Sequence, residues 1–261
     1  MKINQEMKKK KQKKVRPVKA SKNSELRYRN QLLTLTGKLR KDVAVNIMPL
    51  LKTLQSEYIN DGYAKTLEEA FNRLRQAYID INTNAQIVAN DFVDNANAAN
   101  KKRFYGAMEN AIGVNLQSII QNENLEDILV ATTRENVALI RSIPEEYFKK
   151  IETLVFTGVT QGSNAGSMIS QIRKIGNTTT KRAKLIARDQ TSKLNSALNQ
   201  QRQQNLGVEE YIWMTAKDDR VRETHRSKNG KVFKWNDPPK DTGHPGQDVN
   251  CRCVAQPIIN V

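Results

Sequence analysis

From Leu32 to Leu54 the apolar residues fall three and four apart: Leu32, Leu33, Leu35, Leu39, Val43, Ile47, Leu50, Leu51 and Leu54. That period puts them on one side of a helix and predicts a helix over 27–60, broken at Gly62. Thr66-Leu67-Glu68-Glu69 reads as a capping box opening a second helix through Ala70, Leu74, Tyr78 and Ile81, as far as Val93. The Asn- and Ala-rich stretch 94–110 reads as a further helix. Leu125, Ile128 and Leu129 mark a short one, and Thr133 caps another carrying Val137, Leu139 and Ile140. Ser142-Ile143-Pro144-Glu145 opens a helix that buries Tyr147, Ile151, Leu154 and Val155 and ends near Gly158 and Gly162. A shorter helix follows over 165–174. Thr180 then caps a long helix over 181–205 with the stripe Ala183, Ile186, Ala187, Leu194, Ala197 and Leu198, and Gly207 stands as its C-terminal glycine.

After Gly207 the pattern changes. Residues 210–216 (EYIWMTA) and 231–235 (KVFKW) read as strands, and Asn229-Gly230 is a tight-turn signal before the second. Residues 236–250 form a Pro-, Gly- and Asp-rich loop. No internal repeat is present. The expected class is mainly α: an elongated multi-helix body with a small α+β C-terminal module that zinc could stabilise. The expected organisation is a disordered basic tail (1–22), a helical region (23–143), a second helical part (144–206) and the small module (207–261).

Charge sharpens this picture. The 261 residues carry 43 Lys and Arg against 27 Asp and Glu, a net +16. Residues 1–22 alone supply +9, through Lys8, Lys9, Lys10, Lys11, Lys13, Lys14, Arg16 and three further lysines against Glu6. They show no periodic apolar face and read as disordered. A second cluster lies in 171–205: Arg173, Lys174, Lys181, Arg182, Lys184, Arg188, Lys193 and Arg202 against Asp189. A polyanion such as DNA suits both clusters, since lysines that neutralise phosphates release counterions. A solubilising tail and a solvated helix face are the plainer alternatives. No stretch approaches the ~20 apolar residues that cross a bilayer. No apolar segment follows the basic N-terminus, so it is not a secretory signal.

The chain's two histidines, His225 and His244, and its two cysteines, Cys251 and Cys253, fall within 29 of its 261 residues. Thiolate and imidazole are zinc's preferred ligands, and four of them would close a tetrahedral structural site. Surface histidines and half-buried thiols are the alternative, since Cys-x-Cys is less common than Cys-x-x-Cys. Cysteines one residue apart make poor disulfide partners. Asp218, Asp219, Arg220 and Arg222 precede His225. The acids beside a histidine could build a metal-dependent nuclease with His225 and His244, or form a charged turn paired with the arginines. Trp213 and Trp235 could stack on bases but suit core packing of two strands better. No phosphate-cradling glycine loop and no Ser/His/Asp or Cys/His arrangement can be assigned. A catalytic role is not expected.

Several runs together resemble a known family. They are Arg182-Ala183-Lys184-Leu185-Ile186-Ala187-Arg188-Asp189-Gln190-Thr191, Gly207-Val208 and Trp213-Met214-Thr215. Next come Asp219-Arg220-Val221-Arg222-Glu223-Thr224-His225 and Asn229-Gly230-Lys231-Val232-Phe233. The last are Pro238-Pro239, Gly243-His244-Pro245-Gly246 and Asn250-Cys251-Arg252-Cys253. The resemblance is to the phage Mu protein F-like head morphogenesis family, and it is dense over about 144–257. It implies a minor head protein of a tailed double-stranded DNA phage. Such a protein sits inside the procapsid beside the portal protein, binds DNA without sequence preference, and assists head assembly and DNA packaging or delivery. Its implied place is the virion, with the host cytoplasm during assembly. Some relatives carry a cysteine where Arg222 stands, which supports a metal role for His225, His244, Cys251 and Cys253. Others carry a toxin domain after this module, and none is expected here.

Overall fold

The computed structural model describes residues 12–53, 62–79, 81–116 and 123–260. A short strand β1 (Gln12–Lys14) comes first. Helices α1 (Lys22–Asn46), α2 (Met48–Thr53), α3 (Tyr63–Ala77), α4 (Ile81–Ile112), α5 (Glu126–Thr160) and α6 (Ala165–Asn205) follow. The C-terminal module contains β2 (Glu210–Met214), α7 (Glu223–Arg226), β3 (Val232–Lys234) and β4 (Val254–Asn260). The class is therefore mainly α with a small α+β module at the C-terminus. Among the described residues no helix is long and apolar enough to cross a membrane.

The helices are longer and fewer than their sequence signals suggest, because several cap signals lie inside them. α3 begins at Tyr63 behind Gly62, whose φ of 115° suits glycine. Thr66 does not cap it: its hydroxyl donates back to the Gly62 carbonyl at 3.3 Å. Thr133 lies within α5, and so does Pro144. Pro144 lacks the N–H for one helical bond, yet the helix continues because Ile143, Tyr147, Phe148 and Ile151 are buried on both sides of it. Thr178, Thr179 and Thr180 donate to the carbonyls of Lys174, Ile175 and Gly176 at 3.1, 3.0 and 2.9 Å. These hydroxyls are satisfied inside the helix, so the expected break between 174 and 181 is absent. Gly207 does end α6. Its φ is +69°, its N–H reaches Gln204 O at 2.9 Å, and Val208 N–H reaches Gln203 O at 2.9 Å. That pair of bonds is the Schellman pattern. Part of the first expected helix, 54–60, lies outside the described residues.

The chain divides into two compact units, and neither is continuous in sequence. One gathers Asn23–Val93 and Val130–Gln190. Its core is built on Tyr28, Leu32, Leu39 and Val43 of α1, spaced to share one face. A buried polar chain fixes this face. Tyr28 donates to Asn136 Oδ1 at 2.9 Å, Asn136 to Gln190 Oε1 at 3.0 Å, and Gln190 to Glu135 at 2.9 Å. Tyr28 also stacks on Phe92, with centroids 4.3 Å apart.

The other unit gathers Met1–Lys22, Asp94–Leu129 and Thr191–Val261. Its sheet runs β1-β4-β2-β3 and every pairing is antiparallel. Residues 12–22 are ordered, contrary to the expected disordered tail. β1 pairs with β4, Gln12 opposite Asn260 and Lys14 opposite Ile258. Val15 and Val18 are buried with Phe104, Tyr105 and Met108. Asn195 and Asn199 donate to the Val18 carbonyl at 3.0 and 2.8 Å. Two valines three apart were enough to anchor a segment whose composition is otherwise that of a solvated tail.

Candidate metal centre

The site is assembled where the loop after β3 returns to β4. β2 sets Tyr211 and Trp213 on the buried side of the sheet, and they pack with Trp235, Cys251, Cys253 and Ala255. The tryptophans are core residues, 0% and 5% exposed, and offer no face for base stacking. The loop is held against α6. Ser196 Oγ donates to the Pro245 carbonyl at 2.5 Å, and Ser192 Oγ donates to the Cys251 carbonyl. Gly246, at φ +94°, makes this approach possible, because a Cβ there would lie 2.7 Å from Ser196 Cβ.

α7 then brings His225 to the cysteines. His225 Nδ1 lies 3.4 Å from Cys251 Sγ and 3.5 Å from Cys253 Sγ, and all three residues are buried. Bonds of about 2.05 Å to nitrogen and about 2.3 Å to sulfur at a tetrahedral angle place the two atoms about 3.6 Å apart. The three side chains therefore fit one metal ion. His225 Nε2 is engaged with Asp248 Oδ2 at 2.8 Å. This contact places the ring proton on Nε2 and turns the Nδ1 lone pair toward the sulfurs.

The thiols are electrostatically unequal. The Cys253 side chain, with backbone N–H groups of Cys253 and Gly246, holds Cys251 below the ordinary thiol range against the opposing effect of burial. Cys251 and burial push Cys253 up. One thiolate is thus favoured beside the imidazole without a cation, and a cation would favour both. The buried Trp213 Nε1 has no hydrogen-bond partner among the described residues.

His244 is not part of this cluster, contrary to the four-ligand expectation. The Tyr211 hydroxyl meets its Nδ1 at 2.9 Å, and a backbone hydrogen bond with Trp235 engages the ring as well. Burial lowers its pKa. The three remaining ligands face a cleft of about 60 Å³ that Arg220, Arg222 and Arg252 also line. A metal held by two thiolates and one imidazole keeps one coordination position for another ligand.

The acids proposed for nuclease chemistry are not brought to the histidines together. Asp218 is clamped by Arg252, Nη1 to Oδ2 at 2.5 Å and Nη2 to Oδ1 at 2.7 Å. That bidentate pair holds its pKa below the usual carboxylate value. Asp219 is exposed. Asp248, which does reach His225, was missed; an acid three residues before Cys251 carries no motif by itself.

The basic candidates divide by environment. Lys8, Lys9, Lys10 and Lys11 lie outside the described residues. Lys14 and Arg16 are exposed, and Lys13 is exposed with its Nζ 3.2 Å from the Ala111 carbonyl. Lys181 and Lys184 are exposed on α6, and Arg188 is half-buried. Arg182 is committed to Ser142 Oγ at 2.8 Å and Glu146 at 3.0 Å. Arg202 is fully buried and bound to Glu123, Asn97 and Asn100, so it belongs to the core rather than to a solvated basic face.

Residues 149–256 match the family described as "Phage Mu protein F like protein". The chain is also 36% identical over 252 residues to an uncharacterised protein of Haemophilus influenzae (strain ATCC 51907 / DSM 11121 / KW20 / Rd). That match covers 95% of this chain and 56% of the relative, so the chain spans about half the relative's length. No solved structure matches.

Proposed function

We propose, from the match of residues 149–256 to the phage Mu protein F-like family, that this chain is a minor head protein of a tailed double-stranded DNA phage. In this reading it is not an enzyme. It resides inside the procapsid, associates with the portal protein, and contacts DNA through phosphates without reading bases. The family match carries the reading. The net charge of +16 and the exposed Lys14, Arg16, Lys181 and Lys184 support its DNA-contacting part. Mass spectrometry of gradient-purified procapsids and full heads tests it. The chain is expected at low copy in both, and its confinement to the soluble fraction would overturn the proposal.

Zinc belongs to the same proposal, with His225, Cys251 and Cys253 as its ligands. Bound there, the ion would tie α7 to the Cys-x-Cys strand entry and stabilise a module with a small core. Metal analysis of the full chain should give about one zinc per molecule. Less than about half an equivalent would count against the site.

A further inference from the structure

We propose that the unit formed by Asn23–Val93 and Val130–Gln190 holds a second phosphate site, a cleft lined by Arg40, Lys41, Arg173 and Tyr147, which takes the backbone of DNA. The inference rests on the DNA-contacting part of the reading above and gives it a place away from the lysine-rich N-terminal segment. The cleft has a volume of about 380 Å³. Arg40 and Lys41 come from α1, Tyr147 from α5 and Arg173 from α6. α1 and α6 come close here: a Cβ at Gly176 would meet the Arg40 guanidinium Nε at 3.1 Å. The glycine leaves room for Arg40 to lie across α6.

Three observations point to an anion. The lining contains three cations and no acid. Among the described residues none of Arg40, Lys41 and Arg173 forms an ion pair, whereas Arg27, Arg75, Arg182 and Arg202 in the same chain all have carboxylate partners. The third is Tyr147. Its side chain is only 2% exposed, it lines the cleft, and its hydroxyl makes no hydrogen bond among the described residues. The hydroxyl can donate to an acceptor that enters the cleft. Burial raises its pKa and the nearby Arg40 charge opposes that rise, so the hydroxyl remains a proton donor facing a cationic cleft. A phosphate oxygen satisfies the hydroxyl, and guanidinium groups bind phosphate in two-pronged fashion. The cations are exposed at the mouth, which suits a chain of phosphates passing along it.

The test is anisotropy titration of a labelled 20-base-pair duplex with the full chain, from about 50 to about 200 mM salt. Arg40→Gln/Lys41→Gln/Arg173→Gln should weaken binding about tenfold or more and reduce the log–log salt slope by about two to three. Tyr147→Phe, which keeps every charge, should weaken binding without changing the slope. Circular dichroism melting of each variant checks the fold, and Arg173→Gln alone, an exposed position, serves if the triple variant does not fold. Unchanged affinity and slope in folded variants would overturn this inference and leave the general DNA reading intact. Absence of duplex binding by the unmodified chain would overturn both. Calorimetry with inorganic phosphate distinguishes the source: phosphate binding lost in the triple variant, with duplex binding unaffected, would assign the cleft to a free anion and overturn the proposal for DNA.

Discussion

Asp248 Oδ2 and His225 Nε2 stand 2.8 Å apart, and this contact decides which imidazole nitrogen faces the two thiols. Arg222 Nη1 lies 3.6 Å from the same carboxylate and steadies it from outside. Asp248→Ala removes the acceptor that fixes the ring, while leaving Cys251, Cys253 and His225 in the chain. Zinc affinity is expected to fall about 10–100-fold. Competition with a chromophoric chelator measures this, and an unchanged affinity would show that the carboxylate does not orient the ligand.

Gly246 is expected to tolerate no side chain. It combines φ +94° with a 2.7 Å approach of an added Cβ to Ser196 Cβ, and the Ser192 carbonyl stands 3.5 Å away. Gly246→Ala should lower unfolding stability by about 2 kcal/mol, from backbone strain and overpacking. The loop carrying Cys251 docks through Ser192 and Ser196, so zinc affinity should drop as well. Urea unfolding of the two proteins reads the first effect. A stability equal to the parent would mean that the loop moves freely off α6.

The pattern of Leu32, Leu39 and Val43 was enough to find α1, and Gly207 marked the end of α6, because helical period and a left-handed glycine are local signals. Cys251, Cys253 and His225 were also legible, being rare residue types gathered in one segment. Three kinds of feature were not. Helix boundaries at Thr133, Pro144 and Thr180 were misjudged because burial on either side outweighs a local capping preference. β1 depends on β4, which lies at the far end of the sequence, and the polar run Gln12–Lys14 has no strand character of its own. His244 looked equivalent to His225, and only the packing of Tyr211 and Trp235 around it separates the two.

Arg202 offers a test of buried polar architecture. Its side chain is 0% exposed, and its Nε and Nη2 meet Glu123 at 3.2 and 2.9 Å. Nη2 also reaches Asn97 Oδ1 at 2.7 Å. Burial alone would raise the Glu123 pKa, but Arg202, Tyr105 and Lys101 more than offset it. Arg202→Leu would leave that carboxylate and the asparagines without their donor. The expected loss is about 3–5 kcal/mol of unfolding stability by chemical denaturation. Arg202→Lys should recover only part of it, since an ammonium cannot serve all three partners in one plane. A loss under about 1 kcal/mol for the leucine variant would place this network outside the cooperative core.

His244 should make the module acid-sensitive through a route separate from metal release. Burial beside Trp235 and Tyr211 lowers its pKa below the ordinary histidine value of about 6.5. The neutral ring accepts the Tyr211 hydroxyl at Nδ1, and protonation abolishes that acceptor. The unfolded chain therefore takes up this proton at higher pH than the folded one, and stability rises with pH across the interval. The contribution is complete above about pH 6.5 and disappears as pH falls through the lowered folded value. Thermal unfolding in the presence of a chelator, from about pH 7.5 to about pH 5, separates this effect from zinc loss. The melting temperature of the unmodified chain should fall more steeply with acid than that of His244→Gln, whose side chain does not titrate. Parallel curves would show that carboxylates elsewhere carry the acid sensitivity and that the Tyr211–His244 contact is indifferent to protonation.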